Sequence, residues 1–102
     1  MDSGWTSDGW ILRSIAATGS TLRGVIGVAD YLNHAIPTEE EFTGAVGRLV
    51  AAGLAGCDPA ADRYWLTPAG QASPTVLPVL SPAPPLTLPP GVFAAAVRAY
   101  LG

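Results

Sequence analysis

Apolar positions recur at helical spacing three times in the first half of the chain. In residues 7–18, Ile11, Leu12, Ile15 and Ala16 share one face. Ser7 is placed to cap that segment, Asp8 stands in its first turn, and Gly19 is a natural stop. Residues 20–33 repeat the pattern with Leu22, Val25, Ile26, Ala29 and Leu32, while Arg23, Gly24, Gly27, Asp30 and Tyr31 lie off the stripe. Each of the two glycines weakens a helix by about 1 kcal/mol relative to alanine. Close approach by another helix or backbone would offset that. Asn33 can end the helix, and Pro37 ensures that nothing continues through the turn. Residues 38–53 form the third pattern. Thr38 with Glu41 is a capping box, Ile36 and Phe42 are spaced as a hydrophobic staple, and Gly53 closes the helix. Phe42, Val46, Leu49 and Val50 are its expected buried stripe.

The period then changes. Residues 54–67 hold two short extended pieces, near Leu54–Cys57 and Arg63–Thr67, around the turn starter "DPAAD". They predict a β-hairpin. Residues 68–73 have room for one helical turn. Residues 74–90 carry seven of the ten prolines, interleaved with Val76, Leu77, Val79, Leu80, Leu86 and Leu88. Proline with aliphatics predicts an extended strap laid on a surface. Residues 91–101, "GVFAAAVRAYL", read as a short helix that is apolar nearly all round, with Arg98 its one charge, and such a helix needs something to pack against.

Composition narrows the function classes. A chain of 102 residues is one domain, with 49% hydrophobic and only 13% charged residues. The mean hydropathy of +0.35 predicts apolar surface available to a partner. Net charge is −3, and all five basic residues are arginine, so the basic balance of a typical nucleic-acid binder is absent. Cys57 is the single cysteine, which forbids an internal disulfide and fits a reducing compartment. The N-terminal "MDSGWTSDGW" lacks the pattern of a signal peptide, and no apolar run reaches the length of a membrane span. A cytoplasmic protein with no membrane association is expected.

Residues 45–70, "AVGRLVAAGLAGCDPAADRYWLTPAG", resemble the helix-three-and-wing segment of MarR-type regulators within the winged helix-turn-helix superfamily. Leu49, Gly53, Leu54, Asp58, Pro59, Asp62, Arg63, Leu66, Thr67 and Gly70 fall on that pattern. About a quarter of the chain carries the resemblance strongly, and another third by helix order. It implies a dimeric transcription regulator whose third helix enters the major groove while a wing-tip arginine reaches the minor groove. Two departures stand out. The long terminal helices of the usual dimer are missing, and the exposed face of helix three is acidic and small.

That face is expected to carry Glu39, Glu40, Thr43, Gly44, Gly47, Arg48 and Ala51. A groove-reading helix presents its first residues to the bases, and here those are glutamates. The candidate DNA contacts are Arg23, Thr43, Arg48 and Arg63. Helix physics accounts for the acidic turn without any partner, because carboxylates at a helix N-terminus favour the dipole. For protein contacts the candidates are Trp65, put outward by strand alternation if Tyr64 and Leu66 face the core, and Val92, Phe93, Val97 and Tyr100 of the last helix. Trp5 is a further unassigned aromatic. Gly24/Gly27 and Gly44/Gly47 offer small faces, for a partner helix or for packing of helices two and three. "PAPP" at 82–85 is a minimal proline-rich ligand motif, read as part of a strap on its own domain. Asp30 and His34 lack a third metal ligand, and Cys57 has no basic sequence neighbour to activate it. Nothing resembles a phosphate loop or a nucleophile–base pair.

The reading is an α+β fold: a small winged helix over 1–73 with three helices and a two-stranded hairpin wing, a proline-rich strap over 74–90, and a C-terminal helix over 91–102 packing on the domain or on a partner. It is expected to be a non-enzymatic regulatory or adaptor module, without cofactor or metal. It acts through protein contacts that include a homodimer or another protein. The alternative is a DNA-binding regulator using helix 38–53 and the wing.

Overall fold

In the computed structural model, which describes residues 6–74 and 76–102, five helices surround one antiparallel hairpin. Trp5 and Thr75 lie outside the described residues. Helix α1 spans Ser7–Ser14, α2 Leu22–Asn33 and α3 Glu39–Ala51. Strands β1 (Ala55–Asp58) and β2 (Arg63–Leu66) are joined by a 3-10 turn over Pro59–Ala61. The short α4 (Pro68–Gln71) follows, then an extended segment, then α5 (Val92–Leu101). The fold is therefore mixed α+β, as expected.

Helix α1 is shorter than the periodicity suggests. Thr6 rather than Ser7 caps it, its hydroxyl accepting the Gly9 N–H at 3.1 Å. Ile15 is already extended and Ala16 is exposed. Tertiary pairing decides this. The chain turns so that Ser20 can exchange two backbone hydrogen bonds with Tyr64, at 2.6 and 2.8 Å, a single bridge beside β2. The Ser20 hydroxyl accepts the Ala16 N–H and closes the turn.

The other two helices follow their patterns closely. Thr21 caps α2, and His34 ends it in the left-handed region at φ 54°. Thr38 and Glu41 form the capping box of α3, with bonds of 3.0 and 2.8 Å in opposite directions. Gly53 closes the helix at φ +77°. One position differs: Val50 is 40% exposed, and Ala45 takes its place in the buried stripe. Val50 lies on the flank of α3 that faces the strap.

Phe42 is the hub of the core. Its ring meets Tyr64 edge-on at 5.4 Å and Phe93 at 5.7 Å, joining α3 to the hairpin and to α5. Trp10 is buried between α1 and α2, its indole N–H donating to the Ala29 carbonyl at 2.9 Å. Leu77 of the strap and Phe93 of α5 belong to the same cluster as Ile11, Leu22, Ile26 and Leu49. The strap and α5 thus complete one core with the helices.

The resembling segment is tied together internally. The Thr67 hydroxyl donates to the Gly53 carbonyl at 2.6 Å, and the Thr67 N–H to the Leu54 carbonyl at 3.1 Å. Thr67 also caps α4, accepting the Gly70 N–H. A side chain at Gly70 would overlap the Leu54 carbonyl. "AAGL" and "LTPAG" are therefore two halves of one closure.

Candidate functional site

The face of α3 turned away from the core is the natural place to look for function. Helical spacing puts Glu40, Gly44 and Ala51 along its outward ridge. Both flanks of that ridge are occupied within the chain. On one side the strap crosses: the Pro84 carbonyl rests on Gly47, and the Leu86 N–H donates to the Thr43 carbonyl at 3.0 Å. On the other side Arg48 is held by Asp8 of α1. Its Nη2 and Nε donate to Oδ1 at 2.8 and 2.9 Å, and Nε reaches Oδ2 at 3.0 Å. That bonded carboxylate also raises the Arg48 pKa, against a partial opposing effect of burial.

Of the four candidate DNA-contact residues, three make contacts within the chain and Arg23 is exposed. The Thr43 hydroxyl bonds back to the Glu39 carbonyl of its own helix. Arg48 is paired with Asp8. Arg63 lies over the Trp65 ring at 6.0 Å and reaches the Thr18 carbonyl. Arg23 is exposed on α2, lining a cleft of about 430 Å³ with Pro59, Asp62, Val92 and Ala99.

The turn of the hairpin folds back onto the helices. Asp62 is left-handed at φ 53°, a conformation aspartate tolerates better than most residues. Its Oδ1 accepts the N–H of Leu22, the first residue of α2, at 2.8 Å. Strand pairing sets Gly56 opposite Trp65. The indole lies across that glycine, where any side chain would collide with it, so Trp65 is half-buried by its own hairpin.

The protein-contact candidates on α5 are largely consumed in the chain itself. Phe93 is in the core, and Val97 and Tyr100 pack against it. The Tyr100 ring lies over Gly27, and its hydroxyl donates to Asp30 Oδ2 at 2.7 Å, which holds the phenol pKa up. Gly27 thus has the close neighbour its position calls for. Gly47 meets the strap and Gly44 the Arg48 guanidinium, so neither glycine marks packing between α2 and α3. Val92 is 38% exposed. The larger exposed apolar groups are elsewhere: Tyr31 and Val28 on α2, Leu101 at the end of α5, and Val76 and Val79 on the strap.

The remaining chemistry is quiet. Cys57 is half-buried, and burial, then the neighbouring Asp58 charge, push its thiol pKa up. Asp30 is engaged by Tyr100, and His34 is exposed at the end of α2. Among the described residues no three His, Cys, Asp or Glu side chains gather as a metal site. No helix among them is long and apolar enough to cross a membrane.

Sequence reasoning missed Asp8 and Asp62 as partners. Each bond spans 40 residues, and no local pattern signals it. No protein-family model matches the chain, and no curated protein or solved structure matches it either.

Proposed function

We propose that this chain is a winged-helix module that works through protein–protein contacts, self-association among them, as a non-enzymatic regulatory or adaptor protein. The order of α1, α2, α3 and the β1–β2 hairpin, with Ser20 bridged to β2, supports the winged-helix reading. The internal closure between Gly53–Leu54 and Thr67–Gly70 lies within the segment whose sequence resembles MarR-type regulators.

The occupation of both flanks of α3 carries the functional reading. Base readout needs free donors and acceptors on a groove helix, with basic groups around it to neutralise phosphates. Here the strap lies on Gly47 and Thr43, and Asp8 holds Arg48. The ridge between them presents Glu40 and small residues. The alternative, a DNA-binding regulator, would have to read with this acidic ridge and clamp with Arg23 and Arg63 beside Asp62.

A gel-shift against random duplex at low salt separates the two readings. The protein-contact module leaves the duplex unshifted at micromolar protein. A tight, salt-sensitive shift would overturn it in favour of DNA binding.

A further inference from the structure

The strap is fastened unevenly. Leu77 before the α3 crossing is buried, and Phe93 after it is in the core. Between them Pro82, Pro84 and Pro85 are exposed, and Val79 is 95% exposed. Proline has no N–H, so this stretch has few donors to offer. Among the described residues, apart from the Val92 N–H to the Pro89 carbonyl where α5 begins, its one backbone hydrogen bond to the helices and hairpin is Leu86 N–H to the Thr43 carbonyl. Behind Ala83–Leu86 an open cavity of about 250 Å³ remains, floored by Val46, Gly47, Val50, Ala51 and Cys57. The segment therefore bridges the α3–β1 strip without filling it.

We propose that Ala83–Leu86 is a latch that lifts from α3 while the rest of the fold stays intact, and so controls solvent access to the strip between α3 and β1. Leu86 packs partly buried against the core, as do Leu80 and Leu88 on either side. With its prolines exposed and a single backbone bond to α3, the segment between them is one that opens locally, at far less cost than global unfolding. The anchors on either side return it to its seat. Gly47 is that seat: its missing side chain lets the Pro84 carbonyl rest on the helix, and even a methyl there collides with backbone. What lifting uncovers is apolar, with Cys57 at its edge as a built-in reporter. Lifting would also free the Gly47 and Thr43 flank of α3 on which the proposed function rests. Exchange and thiol labelling read the latch alone, whereas the gel-shift reads DNA binding, so the two failures are distinguishable.

Two measurements test it. In the wild-type protein, hydrogen exchange at the Leu86 amide is expected to be at least about a hundredfold faster than at Ile26 or Val25 in α2. In Gly47→Ala, labelling of Cys57 by N-ethylmaleimide at fixed pH is expected to accelerate by about tenfold or more, with a cooperative thermal transition retained. Equal protection of Leu86 and the α2 amides would overturn the latch. So would unchanged labelling in folded Gly47→Ala. If that variant fails to fold, the wild-type exchange comparison still decides.

Discussion

Tyr64 shows how much one side chain can carry. It faces the core from β2, is 1% exposed, and stacks edge-on against Phe42. Burial first, then the charges of Asp62 and Cys57, push its phenol up to about 12 from an ordinary value of 10. The folded state thus favours the neutral phenol. The stabilisation is complete below pH 10 and declines as pH rises towards 12, by about 2 kcal/mol. Tyr100 adds to the decline in the same sense, because its bond to Asp30 also holds its phenol up. Chemical denaturation at pH 9 and pH 11.5 should show the loss in the wild type and a shallower loss in Tyr64→Phe. Identical slopes in the two proteins would remove Tyr64 as the cause.

At the scale of elements, the hairpin is held to the helices by its own turn. Asp62 caps α2 from 40 residues away and does so in a left-handed conformation. Asp62→Ala removes the acceptor and leaves an alanine where aspartate is tolerated better. The expected cost is about 1–2 kcal/mol in urea unfolding. Asp62→Asn keeps an acceptor and the backbone preference, and should retain most of the stability. An alanine variant as stable as the wild type would show that the tie is not energetically real. The elements themselves were largely legible in the text of the chain. Thr38, Glu41 and Gly53 mark α3 because cap chemistry is local. Ala16 and Val50 were not legible, because Ser20 pairing with Tyr64 ends α1 early and the strap, not the core, faces Val50.

At the scale of the whole molecule, α5 and the strap convert a three-helix module into a closed core. Phe93 links α5 to Phe42 and through it to the hairpin. Phe93→Ala should cost about 3–4 kcal/mol through lost burial and the cavity left behind, measured by chemical denaturation. A cost under about 1 kcal/mol would mean that α5 is an accessory rather than part of the core. Self-association belongs to this scale too. With Phe93, Val97 and Tyr100 packed in the chain's own core, the large apolar groups left exposed on the α2–α5 pair are Val28, Tyr31, Val92 and Leu101. Tyr31 is 80% exposed. Sedimentation should show a concentration-dependent dimer that Tyr31→Glu weakens at least tenfold. A wild-type monomer at high concentration removes the self-association proposal.

The sequence by itself determined what depends on near neighbours. Periodicity set three amphipathic helices, cap residues set most of their ends, and "DPAAD" set a hairpin. It also carried the acidic start of α3, which a capping box and the helix dipole explain. Only the tertiary structure decided which faces remain free. Asp8 on Arg48, Pro84 on Gly47, Tyr100 on Gly27 and Asp62 on Leu22 join residues that are distant in the chain. No local pattern encodes such pairs, because they form only when the folded core brings the elements together. A candidate site on α3 could therefore be named from the sequence, but whether its flanks were open was a property of the fold.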